Sequence, residues 1–478
     1  MYMKPLHQSW SAISRLFQDK HLSFASWMLL LLCGILQFIF SLPHVIALRK
    51  LFLLIAFLIA FKYFWETVKT KPKLLLSAVI VFVLLQIWML VIVGFISNQP
   101  WASFIEWKGQ WLPTFVSFVI GIGLARTLML SRLKAPHVAI LLSILVPITI
   151  FLCLNAIVIV HDWILAGKFL CSPSGIADHH GVSGYLVTLL GPMLIVDMLS
   201  RFVKGNRLLP VPVWVILALF IFLICSLILT TDRNGLIIML LTLIMCTAMM
   251  ASEIRKVYSL KKIITFSMAA LIIILAVALA SYKTDPRWQN FFETIPIAWD
   301  IDHDLLWLDR VDANEAPLTP SGKQVDISTY TRIAYAHEGW RMLMAHPWGT
   351  EIARDTFHKL ELAKYGHAKM AHSHIAWIDF GLEVGFPGLL LWGLILFLLT
   401  RLGWQNWRIH KEPLGLALAV LVIVFAVRGL LDSIFRDHEL EQFMLVAALL
   451  FGTLSFTKTN IPYRPIVLVD SNSNRTIT

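Results

Sequence analysis

Long apolar runs separated by short basic connections constrain this chain more than any other feature. Twelve of them stand out, at about residues 24–42, 47–65, 75–97, 112–130, 138–160, 183–200, 209–230, 234–251, 261–282, 384–400, 413–430 and 440–457. A helix needs about 20 apolar residues to cross a bilayer core of about 30 Å. In lipid only helices and closed barrels can satisfy the backbone. A barrel requires short alternating strands, and these runs are continuous. Only 14% of the residues are charged and 58% are hydrophobic, too little polar surface to cover a soluble domain. The expected fold is an all-α polytopic membrane protein with about twelve transmembrane helices.

The connections test that count. If the N-terminus is cytoplasmic, the even-numbered loops face the cytoplasm. They carry Lys62, Lys69, Lys71 and Lys73, then Arg126, Arg132 and Lys134, then Arg201, Lys204 and Arg207. The last two carry Arg255, Lys256, Lys261 and Lys262, and Arg401, Arg408 and Lys411. Each is basic, as the positive-inside bias requires, and both termini come out cytoplasmic. The net charge of +11 is thus spread over topology signals. It forms no single patch for nucleic acid, and no nucleic-acid partner is expected.

One connection breaks the pattern. Residues 283–370 contain 13 of the 29 acidic residues and lie on the outer side. Loops of this length are usually functional. Helical spacing over 329–345, with Ser328 or Thr329 as N-cap and His346-Pro347 and Gly349 as the stop, predicts a helix. A second helix is expected over 351–365. The organisation is therefore transmembrane helices 1–9 in 1–282, a large periplasmic loop with short helices in 283–383, transmembrane helices 10–12 in 384–457, and a cytoplasmic tail in 458–478. The five cysteines form no CxxC pair or disulfide framework.

Chemistry is expected where this loop returns to the membrane. His374 precedes an apolar segment, and Gly385, Pro387 and Gly388 then lead into a spanning run. Imidazole can accept a hydroxyl proton near neutral pH, and at a helix start it would sit beside free backbone N–H groups. His367, His372 and His374 invite a metal reading, but no further ligands follow at a recognised spacing and HExxH is absent. No metal and no cofactor is expected. Arg233, in the short outward turn TTDRNG, runs against the positive-inside bias, and a guanidinium there suits a phosphate or diphosphate. Arg332 lies on the predicted loop helix, with Arg341 nine residues on. Arg428 and Arg436 stand near Asp432 and Asp437. Arg428, His372 and His180 are further candidates for substrate contact.

These residues resemble the O-antigen ligase and O-antigen polymerase family of bacterial inner-membrane glycosyltransferases, the ligase most closely. His374, Glu383, Gly385 and Gly388 match the family's C-terminal signature in order and spacing. Ile375 stands where the family has Asn. Arg233 with Gly235, and the stretch from Arg332 to Gly349, resemble two further motifs. The family often has an additional Arg before the sixth span. Here no Arg stands between Asp162 and Gly184, and Lys168 is the nearest cation. The resemblance implies a multi-pass protein of the inner membrane with its active site facing the periplasm. Its implied donor is a glycan on undecaprenyl diphosphate and its implied acceptor a sugar hydroxyl of lipid A–core, both presented from membrane lipid. His374 would be the catalytic base of a metal-independent, inverting transfer, and Arg233 and Arg332 would hold the diphosphate. The alternatives within the family are O-antigen polymerase and protein O-oligosaccharyltransferase. Polymerases often have two sizeable outer loops, whereas this chain has one. A secondary transporter is the alternative of another class. Transporters usually show two similar halves with broken helices, and no such repeat is visible here.

Overall fold

A computed structural model describes residues 22–70, 72–131, 136–168, 173–179, 181–204, 207–259, 261–262, 290–303, 305–308 and 316–460. Residues 263–282 of the predicted span 261–282, together with Cys171, His180 and the tail beyond residue 460, lie outside the described residues. The regular structure of the described residues is helical, and an isolated bridge between Leu318 and Gln324 is the one β contact among them.

In chain order, α1 is Phe24–Ile39, α2 Ile46–Lys69, and α3 Lys73–Val91, which is extended by a π turn at Ile92–Ile96. A short α4 (Pro100–Glu106) and a π turn at Trp107–Trp111 lead into α5 (Leu112–Leu130). Then come α6 (Pro136–Ala166), α7 (Val182–Lys204), α8 (Val213–Leu229) and α9 (Arg233–Val257). The long acidic segment holds α10 (Phe291–Trp299), α11 (Ile327–Ala345) and α12 (Thr356–Tyr365). The chain closes with α13 (Ala376–His410), α14 (Pro413–Arg428) and α15 (Asp437–Asn460). Among the described residues eight helices are long and apolar enough to span a membrane, and α1, α8 and α14 are shorter apolar helices. Eleven of the twelve expected spans thus coincide with helices, and the twelfth is the one outside the described residues.

Burial separates inner from outer helices. The apolar windows of α15 and α7 are 94% and 89% buried, whereas those of α2 and α9 are 28% and 33% buried. Helices with mostly exposed apolar side chains need a lipid-like surrounding. Small residues let the inner helices approach closely. A Cβ at Gly121 of α5 would lie 2.6 Å from Ala448 Cβ of α15, and one at Gly123 would lie 2.7 Å from Ala60 Cβ of α2. These contacts make α5 the axis between α2 and α15.

The described residues between α9 and α13 form a cap with its own apolar core. Trp307, Tyr330, Tyr335 and Phe357 pack there with Ile378 and Leu382 from the start of α13. The predicted helix over 329–345 is observed as α11, but its N-cap is Asp326, whose carboxylate accepts from Thr329 N at 3.1 Å. Ser328 and Thr329 lie inside the helix. The second predicted helix begins only at Thr356, because residues 347–350 are held in a different way.

That hold explains the glycines of the sequence signature. Gly385 has φ 62° and ψ −173° in the middle of α13, a region open essentially to glycine alone. The Pro347–Thr350 strip docks into the break. Phe386 N donates to Pro347 O at 2.8 Å and Thr350 N to Leu382 O at 3.1 Å. From the other side Trp88 Nε1 donates to Val384 O at 2.7 Å. The freed helix carbonyls therefore find partners, as membrane-depth backbone requires. A Cβ on Gly385 would overlap the Trp348 carbonyl carbon. Gly385→Ala should lower stability by about 3 kcal/mol, read as the detergent unfolding midpoint. An unchanged midpoint would mean that the docked strip contributes nothing.

Candidate functional site at the cap end of the bundle

His374 sits at the apex of a tight turn. Ile375 N donates to Ser373 Oγ at 3.1 Å, Ser373 N donates to Asp379 Oδ1 at 2.8 Å, and Ser433 Oγ donates to Asp379 Oδ2 at 2.7 Å. Closing this turn puts His374 itself at φ 61°, where non-glycine residues are uncommon and cluster at functional sites. The helix begins two residues later at Ala376, whose N–H is donated to Asp432 O at 3.2 Å. The expectation of a free helix-start amide beside His374 therefore fails at that position: the loop after α14 has taken it.

The imidazole is half-buried. Its ring lies 4.3 Å from that of His372 and 6.5 Å from that of Tyr335 on α11. Burial, with His372 and Arg332 nearby, lowers its pKa to about 4, against the opposing pull of Asp432 and Asp379. The ring is neutral at pH 7, so its acceptor nitrogen is free of a proton.

Asp432 is the hub of the surrounding charges. Burial pushes its carboxyl up, but Arg428, Arg332, His179 and His374 outweigh burial and bring it below the usual range. Arg332 is half-buried on α11, one turn before Tyr335. Its guanidinium acts electrostatically on both His374 and Asp432, and no ion pair or hydrogen bond occupies it among the described residues. Arg428 is different. It is fully buried at the end of α14, with Asp432 at 3.3 Å and Asp232 at 3.8 Å. It also donates to Thr188 Oγ1 at 3.1 Å and to Gly181 O at 3.3 Å. Arg428 is thus an interior clamp between α7, α9 and the loop after α14. A Cβ at Gly184 of α7 would overlap Asp232 Oδ2, so only glycine there admits the clamp.

Arg233 occupies the first position of α9, directly after Asp232, which caps the helix by accepting from Gly235 N at 2.8 Å. Next to it, Asn234 donates to Leu431 O at 3.3 Å. Arg233 therefore stands at the rim of the same cluster, half-buried and tied through its neighbours to Arg428 and Leu431. His372 faces Arg436, with NH2 3.3 Å from its Nε2. Arg341 points away and pairs with Asp302 at 2.8 Å. Among the described residues no group of three or more His, Cys, Asp or Glu could hold a metal ion.

His374, Arg332, His372 and Arg428 therefore converge from α11, the turn before α13 and the end of α14. Sequence reasoning passed over Asp432 and Asp379. The run RGLLDSIFRDH from Arg428 to His438 was the available signal, because charge this dense between two buried helices needs internal partners. A neutral imidazole, an open guanidinium and a shared carboxylate suit proton abstraction from a hydroxyl beside a bound anion.

Residues 218–393 match the protein-family model described as O-antigen ligase. No curated protein matches the chain. The matched segment includes Arg233, Arg332, His372 and His374 and ends before Arg428 and Asp432.

Proposed function

Because this chain belongs, through residues 218–393, to the O-antigen ligase family of membrane glycosyltransferase-like enzymes, we propose that it is an O-antigen ligase. It moves a glycan from undecaprenyl diphosphate to a sugar hydroxyl of lipid A–core, in the periplasmic leaflet of the inner membrane. His374 takes the hydroxyl proton as the acceptor oxygen attacks the anomeric carbon. The bond from that carbon to the diphosphate oxygen breaks, and the diphosphate leaves with the electron pair. Arg332 and Arg233 stabilise the charge that grows on the leaving group. Attack opposite the leaving group inverts the anomeric centre, and a diphosphate leaving group needs no metal. Arg428 is a positioning residue that holds Asp432, and Asp432 keeps the base and Arg332 together.

The observation that carries this reading is the convergence beside Asp432 of a base and an anion-binding group from separate elements: the turn that carries His374 is bonded to the Asp432 backbone through Ala376 N at 3.2 Å, and Arg332 of α11 lies close enough to act electrostatically on both His374 and Asp432. The low pKa of His374 describes the empty site. A bound diphosphate would offset Arg332 and raise the basicity of the ring when the substrate is present. The basic loops Lys62–Lys73, Arg201–Arg207 and Arg401–Lys411 support a periplasmic site, because helix direction puts them at the end away from the cap.

The test is a lipopolysaccharide gel of a strain deleted for this protein. Loss of O-chains with accumulation of carrier-linked polymer is expected. Core capped by single repeats would indicate a polymerase instead, and a normal ladder would refute both.

A further inference from the structure

At the far end of the bundle, α9, α13 and α14 leave a groove of about 750 Å³. One wall is a stripe of α13: Phe397, Arg401, Trp404 and Arg408 line it, at steps of four, three and four residues that keep them on one helix face. Met249 of α9 and Ile423 of α14 supply apolar walls. The groove is graded. Phe397 lies deeper in the spanning part of α13, whereas Arg408 lies two turns beyond Arg401, about 10 Å nearer the helix end. Both arginines are exposed. Neither has an ion-pair partner among the described residues, although the neighbouring Lys411 is paired with Glu253 at 3.1 Å.

We propose that this groove binds one anionic glycerophospholipid of the leaflet opposite the cap. The headgroup lies between Arg401 and Arg408, the indole of Trp404 sits at the headgroup level, and an acyl chain runs along Phe397, Met249 and Ile423. The size and apolar floor exceed what a free phosphate would use. The two open guanidiniums favour an anionic over a zwitterionic headgroup, and basic pockets between helices on this side of a membrane are suited to such lipids. The proposal concerns the end of the molecule away from the transfer site and stands whether or not that reading holds.

The test uses the full chain in nanodiscs of phosphatidylcholine, with and without one-third phosphatidylglycerol, and counts retained lipid by native mass spectrometry. The wild type should retain one phosphatidylglycerol and, in its absence, no phosphatidylcholine in its place. Arg401→Gln with Arg408→Gln should weaken retention by about 30-fold. Lys62→Gln with Arg255→Gln removes two exposed basic charges at the same end outside the groove and should leave retention unchanged. Equal loss in both double variants would reduce the effect to general surface charge and overturn the site. So would undiminished retention in the groove variant, or equal retention of phosphatidylcholine by the wild type. Thermal unfolding of each variant identifies any that fails to fold.

Discussion

Replacing His374 by Asn should leave the protein folded and inserted while lowering glycan transfer by about 10²–10⁴-fold, the usual contribution of a positioned base. Asn is the informative substitution because the position has φ 61°. Asn tolerates the left-handed region, whereas Ala adds a backbone cost of about 1–2 kcal/mol. His374→Ala should therefore lose the same activity and also some stability. Full transfer by the Asn variant would remove the base from the mechanism. The pH dependence supplies a second readout. The free-enzyme pKa of His374 is lowered from 6.5 to about 4, and kcat/KM reports groups of the free enzyme. The base is deprotonated above its pKa, so kcat/KM should fall only as pH drops towards about 4. An acid limb centred on 6.5 would contradict the buried, Arg332-flanked environment. Asp432 opposes the lowering, so Asp432→Asn should move the acid limb further down as well as reduce the rate. A purely structural effect would reduce the rate and leave the limb in place.

Arg332→Ala should cost about 10²–10³-fold in transfer, the loss typical of removing one group that stabilises developing anionic charge. The expectation follows from the contrast between the arginines. Arg428 has two carboxylates to satisfy it, whereas Arg332 has no hydrogen bond or ion pair among the described residues and lies close enough to His374 to act on its charge. Arg332→Lys should restore only part of the activity, because a single ammonium cannot make the paired hydrogen bonds of a guanidinium to a phosphoryl group. Complete rescue by Lys would mean that charge alone suffices. Arg233→Ala should weaken the donor interaction through KM, since Arg233 is at the rim of the cluster and ahead of a helix whose N-terminus favours anions. Steady-state assays with a purified lipid-linked donor check both. An Arg332→Ala variant with wild-type kcat and KM would take the diphosphate role away from α11.

The membrane class, the helix positions and the two-part cap were legible because they are local. Apolar runs of span length can satisfy their own backbone only as helices, and the stop at His346-Pro347 follows from proline's missing N–H. His374, Arg332 and Arg233 stood out as candidates for a related reason: titratable and basic groups beside spanning helices break the apolar and positive-inside patterns around them. The glycine signature was visible as a turn, but its purpose was not. Gly385 breaks α13 so that residues 347–350 can enter the gap, a contact between segments with no mark in either one alone. That Arg428 lies between two carboxylates has no mark in the sequence either, because α7, α9 and the loop after α14 must first be brought together around it.

By itself the order of residues determined an all-helical membrane protein, the approximate places of its apolar helices and the long acidic segment that interrupts them. Those properties depend on hydrophobicity, charge and backbone geometry over a few turns. Only the tertiary structure decided which charges neutralise one another: Arg428 is held between Asp232 and Asp432, while Arg332 is brought near His374 without an ion pair among the described residues. That division depends on distances between helices far apart in the chain. It also rests on glycines at 184 and 385, whose absent side chains let those parts meet.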